Sequence, residues 1–168
     1  MKYSIVLFPS KKVQEVANSY RKRYDPAYAL VQPYIRLKEA FEAEDTQIAT
    51  LSTQLEDIVR STPSFSINFH RASTFHPTTN VIFLSFQNKE AVEDLHAKIL
   101  KYFGDHQEEY VFVPHLTIGR NLSESELKDV VDQLAMMKFD LPSEITELHL
   151  IKEEAKGKWS IVKSFPLA

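Results

Sequence analysis

The chain has 168 residues and no cysteine, so disulfide staples and zinc–thiolate centres are excluded at the outset. That absence fits a cytoplasmic protein, which is the expectation here. Glycine is almost missing too. Gly104, Gly119 and Gly157 stand far apart, and no Gly-rich loop is present to cradle a nucleoside triphosphate or a dinucleotide. No apolar run approaches the length needed to cross a bilayer, so no membrane association is expected. The opening residues 1–8 are too short for a secretory apolar region and are interrupted by Pro9; they read as a strand. Nor is there an excess of positive charge. A formal net charge of −3 gives no general attraction to nucleic acid, which leaves a local basic pocket as the way to hold a nucleotide or an RNA end. No set of His, Asp and Glu has metal-ligand spacing, so neither metal nor cofactor is expected. The acidic runs at 39–45 and 124–126 read as solvated helix starts, not as paired catalytic carboxylates.

Hydrophobic residues make up 43% and charged residues 26%, which is enough to build one well-buried domain or two small, intimately packed lobes. Ser10 can cap a helix with Val13, Val16, Ala17 and Tyr20 on its apolar face, and Asp25-Pro26 breaks it. The closing Arg21-Lys22-Arg23 reads either as cations complementing the helix C-terminus or as a phosphate-facing patch. A strand is expected at about 33–38. Asp45 opens a helix with Ile48, Leu51, Leu55 and Ile58 inward, and a hairpin follows, its strands at 65–69 and 81–86 joined by the turn cluster 76–80. Asn88 caps a third helix, with Val92, Leu95, Ile99 and Phe103 inward and Gly104 as its stop. A second polar–aliphatic strand precedes Ser123, which forms a capping box with Glu126 ahead of Leu127, Val130, Val131 and Leu134. A last hairpin spans 145–151 and 159–165. The order strand, helix, hairpin thus occurs twice. The fold expected is α+β, one domain over residues 1–168, with two related lobes and mostly antiparallel sheets.

The repeated strand carries the chemistry. The second copy reads Val113-Pro114-His115-Leu116-Thr117-Ile118-Gly119, and the first reads Gln32-Pro33-Tyr34-Ile35-Arg36-Leu37. Residues two apart in a strand share a face. His115 and Thr117 therefore point one way, with Leu116 and Ile118 toward a core. Tyr34 and Arg36 hold the equivalent face of the first copy, over buried Ile35 and Leu37. With six histidines and nine threonines, a bare His-x-Thr arises by chance in roughly one such chain in three, so the spacing alone decides little. The preceding proline, the strand alternation and the following capped helix, all shared by both copies, make the signal specific.

On these segments, together with Ile5-Val6-Leu7-Phe8-Pro9-Ser10, Tyr20-Arg21-Lys22-Arg23-Tyr24-Asp25, Asn80-Val81-Ile82-Phe83 and Phe112-Val113-Pro114, the chain resembles the 2H phosphoesterase superfamily. That two-histidine group contains 2'-5' RNA ligases and cyclic nucleotide phosphodiesterases; the small bacterial phosphoesterases are the most similar branch. The resemblance covers essentially the whole chain. It implies a bilobal, pseudo-twofold fold with one His-x-Thr strand from each lobe facing a central cleft. It also implies hydrolysis of a small nucleotide or RNA-end phosphodiester, such as a 2',3'-cyclic phosphate or a 2'-5' linkage, without metal. One histidine would take a proton from water and the other would protonate the leaving ribose oxygen, with hydroxyl groups donating to the phosphate.

The first motif departs from that pattern. Tyr34 stands where histidine is expected and Arg36 where threonine is expected. Tyrosine is a poor base at neutral pH but can donate a proton. Arg36 can clamp a phosphate through paired hydrogen bonds, or can simply pair with Glu39. His115, Thr117 and Tyr34 are the candidate catalytic residues and Arg36 the candidate substrate-binding residue. His70 and His76 are the alternatives for a second histidine; as plain surface residues they need no role. His96 reads as a helix boundary residue, His106 as part of a solvated loop and His149 as facing away from its strand's core. Aromatic residues Tyr34, Tyr102, Phe103, Tyr110, Phe112 and Trp159 are candidates to stack a base. Two functions follow: a phosphoesterase weakened at its first motif, or a non-catalytic phosphate- or nucleotide-binding protein that keeps the cleft.

Overall fold

The computed structural model describes residues 1–103 and 112–168. The expected helix stop at Gly104, the loop with His106, and Tyr110 lie outside the described residues. Period-two and period-3.6 apolar patterns place the elements in this order: β1 (Lys2–Leu7), α1 (Lys11–Tyr24), β2 (Ile35–Glu42), α2 (Asp45–Arg60), β3 (Phe65–Thr74), β4 (Ile82–Gln87), α3 (Lys89–Tyr102), β5 (Leu116–Gly119), α4 (Glu124–Ala135), β6 (Leu141–Ile145), β7 (Glu147–Ala155) and β8 (Lys158–Pro166). The fold is α+β, as expected.

Two antiparallel four-stranded sheets form, in the orders β2-β1-β7-β8 and β5-β4-β3-β6. Helices α2 and α3 contact the first sheet, while α1 and α4 contact the second. Each hairpin crosses over. The hairpin β3–β4 follows β2 in the chain yet joins β5, and the hairpin β7–β8 follows β5 yet joins β2 through β1. The two sheets are therefore not the two halves of the sequence. Buried side chains from both sheets, among them Leu7, Leu37, Phe69, Leu84, Ile99 and Phe165, belong to one apolar cluster.

Strand β6 was not expected, because its sequence contains Pro142. Proline lacks the N–H a central ladder needs and is tolerated at an edge, and β6 is the last strand of its sheet. A register shift in β2 sets Ile5 opposite Lys38 but Val6 opposite Arg36. This breaks the alternation after Leu37 and buries Lys38 beside it, with its ammonium 4.8 Å above the Phe103 ring.

Helix ends follow local chemistry. Ser123 Oγ accepts from the Glu126 amide, as the capping-box spacing predicts. Asn88 precedes α3 in a left-handed conformation, but its side chain donates to Ser66 O instead of capping. At α1, Asp25 ends the helix with an extended backbone, and its amide still reaches Arg21 O. No helix among the described residues is long and apolar enough to cross a membrane.

Candidate active site

Strands β2 and β5 are both sheet edges, and in each the candidate residues sit at the entry. Tyr34 and His115 fall one residue before their strands, each after a buried proline, and Arg36 and Thr117 follow on the same faces. Ile35, Leu37, Leu116 and Ile118 are all buried, which fixes the opposite faces and so the orientation of the four polar residues. A cleft of about 860 Å³ lies between them, lined by Tyr34, Arg36, His115, Thr117, Arg120 and Glu124 together with the β3–β4 loop residues Phe75, Thr78, Thr79 and Asn80. All four residues singled out from the sequence thus meet in one cleft.

His115 is held on two sides. Its Nδ1 lies 2.7 Å from Val113 O, and its ring packs edge-on against Phe75 and Phe83, at 4.9 and 5.2 Å. A carbonyl can only accept, so Nδ1 carries the proton and Nε2 is left with the lone pair. Burial lowers the histidine's pKa below its ordinary value, the Val113 hydrogen bond opposes this, and the nearby Arg36 and Arg120 charges push it further down. The ring is therefore neutral at neutral pH.

At Tyr34 burial acts in the opposite direction, yet the net shift is again downward. Burial alone would raise its pKa, but the charges and hydrogen bonds of Arg36 and Arg120 outweigh burial and hold it below the usual phenol value. Arg36 Nη2 donates to the Tyr34 hydroxyl at 3.0 Å, and its guanidinium carbon lies 5.6 Å from the centre of the same ring. Arg36 thus faces the cleft with Tyr34 as its hydrogen-bond acceptor.

Arg120 escaped the sequence reading. It follows β5, and its role depends on a contact across most of the chain. Its amide donates to Tyr24 O at 3.0 Å, and its Nε lies 2.9 Å from Asp25 Oδ1. Asp25 is buried and also receives Arg21 Nε at 3.2 Å and the Ala27 amide at 2.9 Å. Arg21 in turn donates to Asn18 Oδ1 and Val31 O, at 2.8 and 2.7 Å. At 1% exposure, Arg21 is neither a solvated helix-end cation nor a phosphate-facing group. It is the buried counter-ion of Asp25.

The other histidines lie elsewhere. His70 is within β3, and His76 is exposed, with Nδ1 3.4 Å from Asn80 Oδ1. His96 is buried, with Nδ1 2.7 Å from Leu37 O and its ring stacked on Phe112 at 3.7 Å. His149 lies opposite Leu148 and Leu150 in β7, as alternation requires, yet it is buried too, against Phe8 and Ser164. Among the described residues, His115 is the histidine lining this cleft, and no cluster of three or more His, Asp or Glu side chains could hold a metal ion. Trp159, Tyr102 and Phe103 do not line it either.

Comparison with known proteins agrees with this arrangement. A family model for the 2'-5' RNA ligase superfamily matches residues 8–157. A protein named "Putative phosphoesterase" from Geobacillus sp. (strain WCH70) is 42% identical over 165 residues, covering 98% of this chain and 95% of that one. Another of that name from Oceanobacillus iheyensis is 36% identical over 167 residues, with 99% and 98% covered. Among solved structures, Escherichia coli LigT complexed with 3'-AMP superimposes with a TM-score of 0.76 at 17% identity, covering 99% of this chain and 98% of that one.

Proposed function

From its place in the 2'-5' RNA ligase superfamily, to which this chain belongs, we propose that the cleft hydrolyses a phosphodiester at a nucleotide or RNA end, such as a 2',3'-cyclic phosphate or a 2'-5' linkage. The observation that carries this reading is a neutral His115, its Nδ1 committed to Val113 O, sharing one cleft with a Tyr34 acidified by two arginines. A neutral imidazole suits the base, and a phenol held below its ordinary pKa suits the acid.

His115 Nε2 takes a proton from water as the water oxygen bonds to phosphorus. The bond from phosphorus to the ribose oxygen breaks, and Tyr34 delivers its phenolic proton to that oxygen. The product is a phosphomonoester, and solvent returns both groups to their starting states. Thr117 donates to a non-bridging oxygen as charge builds there, and Arg36 clamps another. No step calls on a metal. Tyrosine in place of a second histidine makes this a slow enzyme, because a mismatched acid–base group costs on the order of 10²–10⁴ in rate.

The deciding experiment is turnover of a 2',3'-cyclic nucleotide and a 2'-5'-linked dinucleotide by the wild type and His115→Ala. Activity present in the first and reduced at least about 10²-fold in the second is expected. A second reading, binding without turnover, is favoured by one observation: the Tyr34 hydroxyl already accepts from Arg36. Inactive wild type that still binds a nucleoside monophosphate would establish it.

A further inference from the structure

We propose that Asn80 and Phe75 are positioning residues, through which the β3–β4 loop holds the His115 ring in place. The inference rests on the phosphoesterase reading and adds to it the loop that sets the base.

His115 needs such support. It stands one residue before β5, so no ladder pair fixes it. The imidazole is held by the Val113 carbonyl at Nδ1 and by two aromatic rings, Phe75 at 4.9 Å and Phe83 at 5.2 Å. One hydrogen bond leaves a ring free to rock about it, and packing removes that freedom. Phe83 is buried and paired within β4, so the sheet sets its place. Phe75 has no such frame. It lies just beyond β3, half-buried in the cleft wall, with its ring stacked on Phe83 at 4.3 Å. Its position depends on the loop.

That loop closes around Phe75. The Phe75 carbonyl accepts from the Thr78 and Thr79 amides at 2.9 and 3.3 Å, and its amide donates to Val81 O at 3.4 Å. Thr74 Oγ1 donates to the same Val81 carbonyl at 2.7 Å. These bonds shape the loop but tie it only to its own hairpin. Asn80 ties it to the rest of the molecule, because its Nδ2 donates to Leu122 O at 2.9 Å. Leu122 is buried in the apolar cluster beyond β5, which gives the tie a fixed base. Among the described residues, this is the side-chain hydrogen bond of loop residues 75–80 that leaves the hairpin. The other contact of Asn80 is local, its Oδ1 lying 3.4 Å from Nδ1 of exposed His76.

Loosening the loop admits water to the His115 ring. Its pKa should then rise toward the ordinary 6.5, because burial is the largest cause of its depression. The charged and titratable groups around it keep their places: Tyr34 and Arg36 at β2, Arg120 after β5 and Glu124 at the start of α4. His76 is the titratable residue of the loop itself.

The test is NMR titration of the His115 ring beside the pH profiles of kcat and KM on a 2',3'-cyclic nucleotide. Wild type, Asn80→Ala, Phe75→Ala, Phe75→Leu and His76→Gln are compared. Asn80→Ala and Phe75→Ala are expected to raise the His115 pKa and carry the acid limb to higher pH. Both should lower kcat on the order of tenfold, with KM little changed. Phe75→Leu, which restores apolar cover, should recover part of each effect. His76→Gln should leave the profile in place, which separates the Leu122 tie from the His76 contact. A purely structural role would lower the unfolding midpoint and move neither the ring titration nor the limb. If Phe75→Ala fails to fold, Asn80→Ala decides.

An unmoved ring titration and kcat in Asn80→Ala, beside His115-dependent turnover in the wild type, would overturn this inference and leave the phosphoesterase reading standing. Wild type that turns over no such substrate would remove that reading, and the ring titration would then decide whether the loop holds His115.

Discussion

His115 and Tyr34 are chemically unlike, and the cleft lowers the pKa of both, for different reasons. Burial among Phe75 and Phe83 keeps the imidazole neutral, while two guanidiniums make the phenol a better acid. A histidine at 34 would titrate nearer neutrality and would not need that help. The double substitution Tyr34→His with Arg36→Thr, which completes the two-motif pattern, is therefore predicted to raise kcat on a 2',3'-cyclic nucleotide by about 10²-fold; steady-state kinetics beside the wild type measures it. The positions of His115, Thr117, Tyr34 and Arg36 were legible because a period of two needs no knowledge of tertiary structure. Arg120 and Arg21 were not. The carboxylate that decides both is Asp25, and only folding brings Asp25 to Arg120. From sequence, Arg21 looked like one of three helix-end cations, and nothing local marks it as the buried one.

The short strand that carries Thr117 and follows His115 is anchored from behind. β5 is four residues long, and its far end presses on the last turn of α1 through Gly119. Gly119→Ala must push Tyr24 away, so a loss of about 1–3 kcal/mol is expected in denaturant unfolding. The helices were legible from their apolar spacing, and so were seven of the strands; β6 was hidden by Pro142, which only an edge tolerates. In β7, His149 shows how alternation can place a residue correctly and still misjudge its exposure. It faces away from Leu148 and Leu150, but Phe8 and Ser164 cover it. Burial lowers its pKa against the opposing pull of Glu147. The unfolded chain then binds more protons than the folded one as pH falls below about 6.5, so stability is complete above that value and declines on acidification. Urea unfolding at pH 7.5 and 5 should show the loss, and His149→Gln should make it shallower.

In the molecule as a whole, the crossed hairpins make each sheet depend on both halves of the chain. The strand–helix–hairpin repeat was visible in the sequence, but the exchange was not, because pairing between distant strands leaves no local trace. The exchange sets β2 and β5 as edges of different sheets, and the cleft between them takes Tyr34 and His115 from opposite sides. This geometry predicts a bell-shaped pH dependence for kcat/KM on a 2',3'-cyclic nucleotide. The acid limb reports His115 below its ordinary 6.5 and the alkaline limb Tyr34 below its ordinary 10. The most direct test is that profile recorded for the wild type and Tyr34→Phe. The account predicts a rate about 10²-fold or more lower in the variant, with the acid limb kept and the alkaline limb gone. A variant as fast as the wild type, with both limbs in place, would contradict it.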